Sequence, residues 1–148
     1  AGRIVDRFGA QRVTVIGLIG IACGALTLAL LPAPLGIPGY IAPIVAITVS
    51  YALFQTANNT AVMREVSAGQ RGVVSGLLNL SRNLGLITGA SVMGAVFAFA
   101  SGTTDIITAP ATAVAVGMRI TFGVSAGLMV VALVIVVGGR ADKPPEHA

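Results

Sequence analysis

The sequence predicts an all-α membrane protein whose chain crosses the bilayer four times. Of its 148 residues 55 % are hydrophobic and 9 % charged, and the mean hydropathy is +0.94, so there is too little polar surface to clothe a water-soluble globule. Four apolar stretches, about 13–31, 40–63, 73–100 and 114–137, each reach the roughly 20 helical residues needed to cross a hydrocarbon core about 30 Å thick. Runs such as IAPIVAITV and LMVVALVIVV do not alternate in polarity as barrel strands do. Helix is then the structure that satisfies its own backbone in lipid.

The connections set the expected topology. Residues 1–12 form a polar loop carrying Arg3, Arg7 and Arg12. The link after the first span has no Lys or Arg and is stiffened by Pro32, Pro34 and Pro38, whereas the link after the second carries Arg64 and Arg71. After the third span comes Asp105, then Arg119 near the start of the fourth, which reads as an outer-interface anchor; the tail, 139–148, holds Arg140 and Lys143. Basic residues resist translocation and favour anionic lipid, so both termini and the Arg64 to Arg71 link are expected on the cytoplasmic side. The net charge of +4 and the pI near 10.2 follow from this topology; without a basic patch interleaved with aromatics, nucleic acid is not an expected partner. The chain lacks an initiator Met and opens inside a polar loop, and its first span is too long for a signal-peptide core. It reads as the C-terminal piece of a longer polypeptide.

The opening loop has the form Gly2-x-x-x-Asp6-Arg7-x-Gly9-x-Gln11-Arg12. Two glycines in so short a stretch suit a tight turn between close helices, and Asp6 can cap a helix or pair with an arginine. At these residues the sequence resembles the major facilitator superfamily, whose cytoplasmic signature loop reads G-x-x-x-D-R/K-x-G-R/K-R/K. Gly2, Asp6, Arg7, Gly9 and Arg12 fall on it, with Ala10 and Gln11 where basic residues are usual. FQTANNTAVM and QRGVVSGLLNLSRNLGLITGASVMGAVFA resemble the closing helices of the family's drug:proton antiporters, its fourteen-helix branch above all. The resemblance implies that these are the last four helices of a C-terminal bundle. It also implies that the loop is a latch holding the cytoplasmic side closed. The plainer reading, that its arginines only fix topology, stands beside it.

Polar residues are costly in lipid, so their placement is informative. The first span carries Thr14, Cys23 and Thr27, and the fourth, past Arg119, carries Thr121 and Ser125; these hydroxyls can bond back to their own helix, leaving both spans free to face lipid. In the second span Tyr51, Gln55, Asn58 and Val62 recur at helical spacing with Asn59 alongside. In the third, Ser75, Asn79, Arg82, Asn83, Leu86, Ala90, Met93 and Phe97 fall in one sector. Tyr51, Gln55, Asn58, Asn59, Asn79, Arg82 and Asn83 are therefore candidate cavity-lining residues, against the alternative that the amides only tie helices together. The resemblance implies the same division, with the second and third of the four helices on the cavity. Arg82 either snorkels to the interface or serves as a functional charge. Gly20-x-x-x-Gly24, Gly85-x-x-x-Gly89, Ala90-x-x-x-Gly94 and Gly123-x-x-x-Gly127 are expected packing seams, and Pro43 is expected in the first turn of its helix.

The acids Asp6, Glu65, Asp105, Asp142 and Glu146 all fall in links or tail, so a proton-carrying group for coupled transport is expected in a portion of the protein preceding this chain. Cys23 has no second cysteine to pair with and His147 lies in a Pro-rich tail; no metal and no cofactor are expected. There is no phosphate-binding loop and no nucleophile with a base partner, so no enzymatic reaction has support. The expected function is secondary active transport by alternating access: proton-coupled efflux of small amphipathic organic compounds across a bacterial inner membrane. A metabolite facilitator of the same fold, or a non-transporting four-helix membrane protein, are the alternatives.

Overall fold

The computed structural model describes residues 5, 7–31, 36–102 and 109–139. Gly2, Arg3, Asp6, Pro32, Pro34, Asp105 and the tail from Arg140, with Lys143 and His147, lie outside them. Regular structure among the described residues is helical: α1 (Ala10–Leu30), α2 (Gly36–Arg64), a 3-10 turn (Ala68–Gln70), α3 (Arg71–Ser101) and α4 (Ala111–Gly138). All four are long and apolar enough to cross a membrane.

Each helix begins two to four residues before its apolar run, because polar residues such as Gln11, Arg12 and Arg71 continue the helical hydrogen bonding into the interface. The extension corrects the reading of the prolines. With α2 starting at Gly36, Pro38 belongs to its first turn and Pro43 lies inside the helix, where it removes the bond that an N–H would give to the Gly39 carbonyl. Gly9 separates α1 from a helical turn containing Val5, Arg7 and Phe8. Its φ of +81° and ψ of 139° lie where only glycine is comfortable. The Gly9 N–H closes the earlier turn on the Val5 carbonyl (2.9 Å), and its own carbonyl accepts from Val13 N–H (3.3 Å) at the start of α1. Gly102, at φ +66°, ends α3 in the left-handed conformation.

Glycine decides how α1 meets α2. A Cβ on Gly17 would lie 2.9 Å from both the amide nitrogen and Cα of Phe54, one on Gly20 would overlap Ser50, and one on Gly24 would overlap Ile47 and approach the Pro43 carbonyl. These pairings run in opposite directions along the two chains, so α1 and α2 are antiparallel and nearly in backbone contact. The expected seam at Gly20 and Gly24 is present, and Gly17 extends it. The pairs Gly85 and Gly89, and Gly123 and Gly127, face open space, as does Gly94. Gly117 instead receives the Phe97 ring, 2.8 Å from where its Cβ would stand, with Ser101 beside it.

Helix α1 packs on both α2 and α4, and α4 also packs on α3, whereas α2 and α3 scarcely touch. The order of contact is therefore α2, α1, α4, α3, with a gap between the outer two. The expectation that α1 is peripheral is met on one face only. Val13, Thr14, Gly17, Leu18, Ala25 and Leu28 are buried, while Ile16, Ile19, Cys23, Leu26 and Leu30 form an exposed apolar stripe. Val5, Ala10, Val13 and Ala57 make a small core, covered by Leu53 and Ala61. It fastens the turn before Gly9 to the C-terminal half of α2. Helix α3 has no buried residue.

Hydroxyls inside the spans are satisfied locally. Thr14, Thr27, Thr121 and Ser125 donate to the carbonyls four residues earlier at 2.8–3.0 Å, as expected for α1 and α4, and Thr48, Thr56 and Thr60 do so in α2. Such bonds let a polar side chain sit in lipid without a partner from another helix.

Candidate functional site

Because α2 and α3 stand apart, a cavity of about 640 Å³ opens between them. From α2 it is lined by Tyr51, Phe54, Gln55, Asn58, Asn59 and Met63, and from α3 by Ser75, Leu78, Asn79, Ser81, Arg82, Gly85 and Leu86. A second hollow, lined by Asn59, Thr60, Met63, Arg64 and Arg71, continues it to the end of the bundle where α2 stops and α3 starts. On α2, Tyr51, Gln55 and Asn58 share a face at spacings of four and three residues, as helical geometry requires, and that face looks into the cavity.

Six candidate residues, Tyr51, Gln55, Asn58, Asn59, Asn79 and Arg82, meet around this space; Asn83 does not line it. The lining sector of α3 is centred on Leu78, Arg82 and Gly85. Asn83, rotated by about 100° from Arg82, falls beyond its edge. Further along, Met93 and Phe97 are not open to the cavity: Met93 Sδ lies 3.4 Å from Ser125 Oγ, whose proton goes to the Thr121 carbonyl, and Phe97 covers Gly117. The polar-to-apolar stripe is therefore one face with two neighbours, the cavity near Ser75 to Leu86 and α4 near Met93 to Ser101. The lining also takes in Phe54 and Met63 from α2 and Leu78, Ser81 and Gly85 from α3, none of them among the candidates: Leu78 and Gly85 have the helical spacing without polarity, and Ser81 the polarity at the edge of the sector.

One contact spans the cavity. With the Gln55 amide oxygen turned toward the guanidinium, Arg82 donates to it from Nη1 at 2.8 Å and from Nε at 3.3 Å; the opposite orientation would set the NH2 group against another donor. Arg82 thus points across to α2. Among the described residues no acid lines either hollow, and Glu65 stands just beyond the end of α2.

Of the opening loop, Arg7, Gly9 and Arg12 are described and Gly2 and Asp6 are not. Arg7 and Arg12 are exposed, with the Arg7 guanidinium 6.0 Å from the Phe8 ring centroid, and Gly9 supplies the break already described. Antiparallel packing puts Arg7, Arg12, Arg64 and Arg71 at one end of the bundle.

Four membrane-length helices, two of them flanking a cavity of mixed polar and apolar lining, define a polytopic integral membrane protein. The family model described as Major Facilitator Superfamily matches residues 1–90. Among curated proteins, the chain is 31 % identical over 93 residues to "Uncharacterized transporter YebQ" of Escherichia coli (strain K12), covering 63 % of this chain and 20 % of that protein. It is 28 % identical over 95 residues to "Multidrug efflux pump LfrA" of Mycolicibacterium smegmatis (strain ATCC 700084 / mc(2)155), covering 64 % of this chain and 19 % of that one. No solved structure matches at a significant level. The chain belongs to the Major Facilitator Superfamily, a family of membrane transporters of small molecules. The matched stretch spans about one fifth of the length of these relatives.

Proposed function

We propose that this chain supplies one wall of a substrate pathway in a drug:proton antiporter, and that the cavity between α2 and α3 is part of that pathway. The observation that carries the reading is the cavity itself. Its polar groups come from α2 and α3, while the exposed surfaces of α1 and, apart from Arg119 and Thr112, of α4 are mainly apolar, which is the division a transporter needs between solute and lipid. Amides, a phenol, an arginine and apolar residues such as Phe54 and Leu86 suit an amphipathic organic compound. The named efflux pump among the relatives supports export over import. Both termini and the Arg64 to Arg71 link are assigned to the cytoplasm, supported by Arg7, Arg12, Arg64 and Arg71 at one end of the bundle, and a bacterial inner membrane fits the bacterial relatives. Residues Gly2, Asp6, Arg7, Gly9 and Arg12 act as the cytoplasmic latch, and the proton carrier is an acid outside this chain.

Reconstitution in proteoliposomes tests the reading. The protein expressed from its own gene is expected to couple uptake of an amphipathic compound to movement of protons, seen as a substrate-driven change in luminal pH. Flux without a pH change would replace the antiporter by a facilitator, and absence of flux for a broad panel would remove the transport reading.

A further inference from the structure

The chemistry of the cavity narrows the class of compound it takes. Arg82 reaches into it from α3, and Gln55 is its partner among the described residues. The amide oxygen is neutral, so it satisfies hydrogen bonds without compensating charge. Arg64 and Arg71 flank the hollow that leads in. The lining adds amides at Gln55, Asn58, Asn59 and Asn79, the Tyr51 phenol, and the apolar surfaces of Phe54, Met63, Leu78 and Leu86, with no carboxylate among the described residues. Arg82 is exposed to the cavity, and a guanidinium whose bonded partner is a neutral amide keeps its charge for an incoming anion. Among the described residues the lining supplies no fixed anion.

We infer that the cavity binds amphipathic organic anions, with the anionic group, a carboxylate, sulfonate or phosphate, seated on Arg82 in place of the Gln55 amide oxygen and the apolar body lying along Phe54, Leu78 and Leu86. This deepens the proposed function and rests on it for the role of the cavity in transport. The planar guanidinium offers two parallel N–H groups to a carboxylate, and a charge-assisted pair is stronger than the neutral one it displaces. Gln55 then holds the arginine extended when the site is empty and releases it when an anion arrives. Arg71, lining the hollow that leads in, raises the local concentration of anions at the entrance.

The test uses three probes of one skeleton: 1-naphthoate, 1-naphthamide and (1-naphthylmethyl)trimethylammonium. Binding is measured by titration calorimetry to the protein in nanodiscs of zwitterionic phosphatidylcholine, with empty nanodiscs as the partition control, and flux is measured separately in proteoliposomes. Naphthoate is expected to bind at least about tenfold tighter than the amide, and Arg82→Gln to remove that preference, so that the two probes bind alike in the variant. Arg82→Lys, which keeps the charge and loses the fork, is expected to retain part of it. Equal binding of all three probes, preference for the ammonium, or a preference for naphthoate that survives in Arg82→Gln overturns the inference. Adding phosphatidylglycerol distinguishes the source of the anion: displaced naphthoate identifies an anionic lipid as the occupant, and unaffected naphthoate a soluble amphiphile, each an anion on Arg82. Arg82-dependent binding without flux in any assay leaves the inference standing and removes the transport reading instead.

Discussion

Helix α2 has two faces that treat their neighbours in opposite ways. Against α1 it meets a run of glycines, and Phe54, Ser50 and Ile47 press so closely that a single methyl would not fit. Toward α3 it carries Tyr51, Gln55 and Asn58, and the two helices are bridged across open space by Gln55 and Arg82. The comparison teaches that closeness in a membrane bundle comes from the absence of side chains, and separation from the presence of polar ones that need water, solute or each other. Lipid does not squeeze helices together as water does, so the seam depends on backbone approach and dispersion contacts.

Breaking the closed face should have the largest effect. Gly17→Leu forces α1 off the Phe54 backbone and is expected to leave little folded protein, read as monodisperse yield after detergent extraction; Gly17→Ala should still fold with a loss of about 1–3 kcal/mol, seen as a lowered unfolding midpoint. On the open face, Arg82→Ala is expected to reduce substrate-dependent flux by about tenfold or more with the midpoint little changed. A similar fall in both would make Arg82 a structural residue. Asp6→Asn, in the proposed latch, should impair transport while leaving expression near normal; unchanged rates reduce the loop to a topology signal. Gly9→Ala places a side chain at φ +81° and is expected to cost about 1–3 kcal/mol, loosening the turn that buries Val5. Gly85→Ala and Gly123→Ala, which meet open space, should raise stability by about 0.5–1 kcal/mol through helix propensity, sharpening the contrast with Gly17.

Much of this contrast was legible in the residues themselves. The recurrence of Tyr51, Gln55 and Asn58 names the face of α2 that lines the cavity, and hydropathy names the four helices. What periodicity cannot supply is the neighbour that a face meets. Ser75, Arg82, Leu86, Met93 and Phe97 share one sector of α3, yet the first three open on the cavity and the last two pack on α4. Asn83 has the polarity of a lining residue and the wrong azimuth, while Leu78 and Gly85 have the azimuth and no distinguishing polarity. The same limit applies to small residues: Gly20 and Gly24 pack, Gly123 and Gly127 do not, and the spacing is identical. Gly17 and Gly117 belong to no four-residue repeat of glycines, and their importance emerges only once Phe54 and Phe97 are in place. Pro43 shifts from first turn to interior because α2 starts at Gly36, in the glycine- and proline-containing approach four residues before Tyr40.

Helix α3, with 31 residues and none of them buried, is about 46 Å long at 1.5 Å per residue and is held by α4 through Met93, Phe97 and Ser101. During biosynthesis such a helix is committed to the bilayer by its own hydropathy before it has an address within it. Finding that address is a two-dimensional search among lipids, and the notch that Gly117 leaves for the Phe97 ring is where the search is arrested.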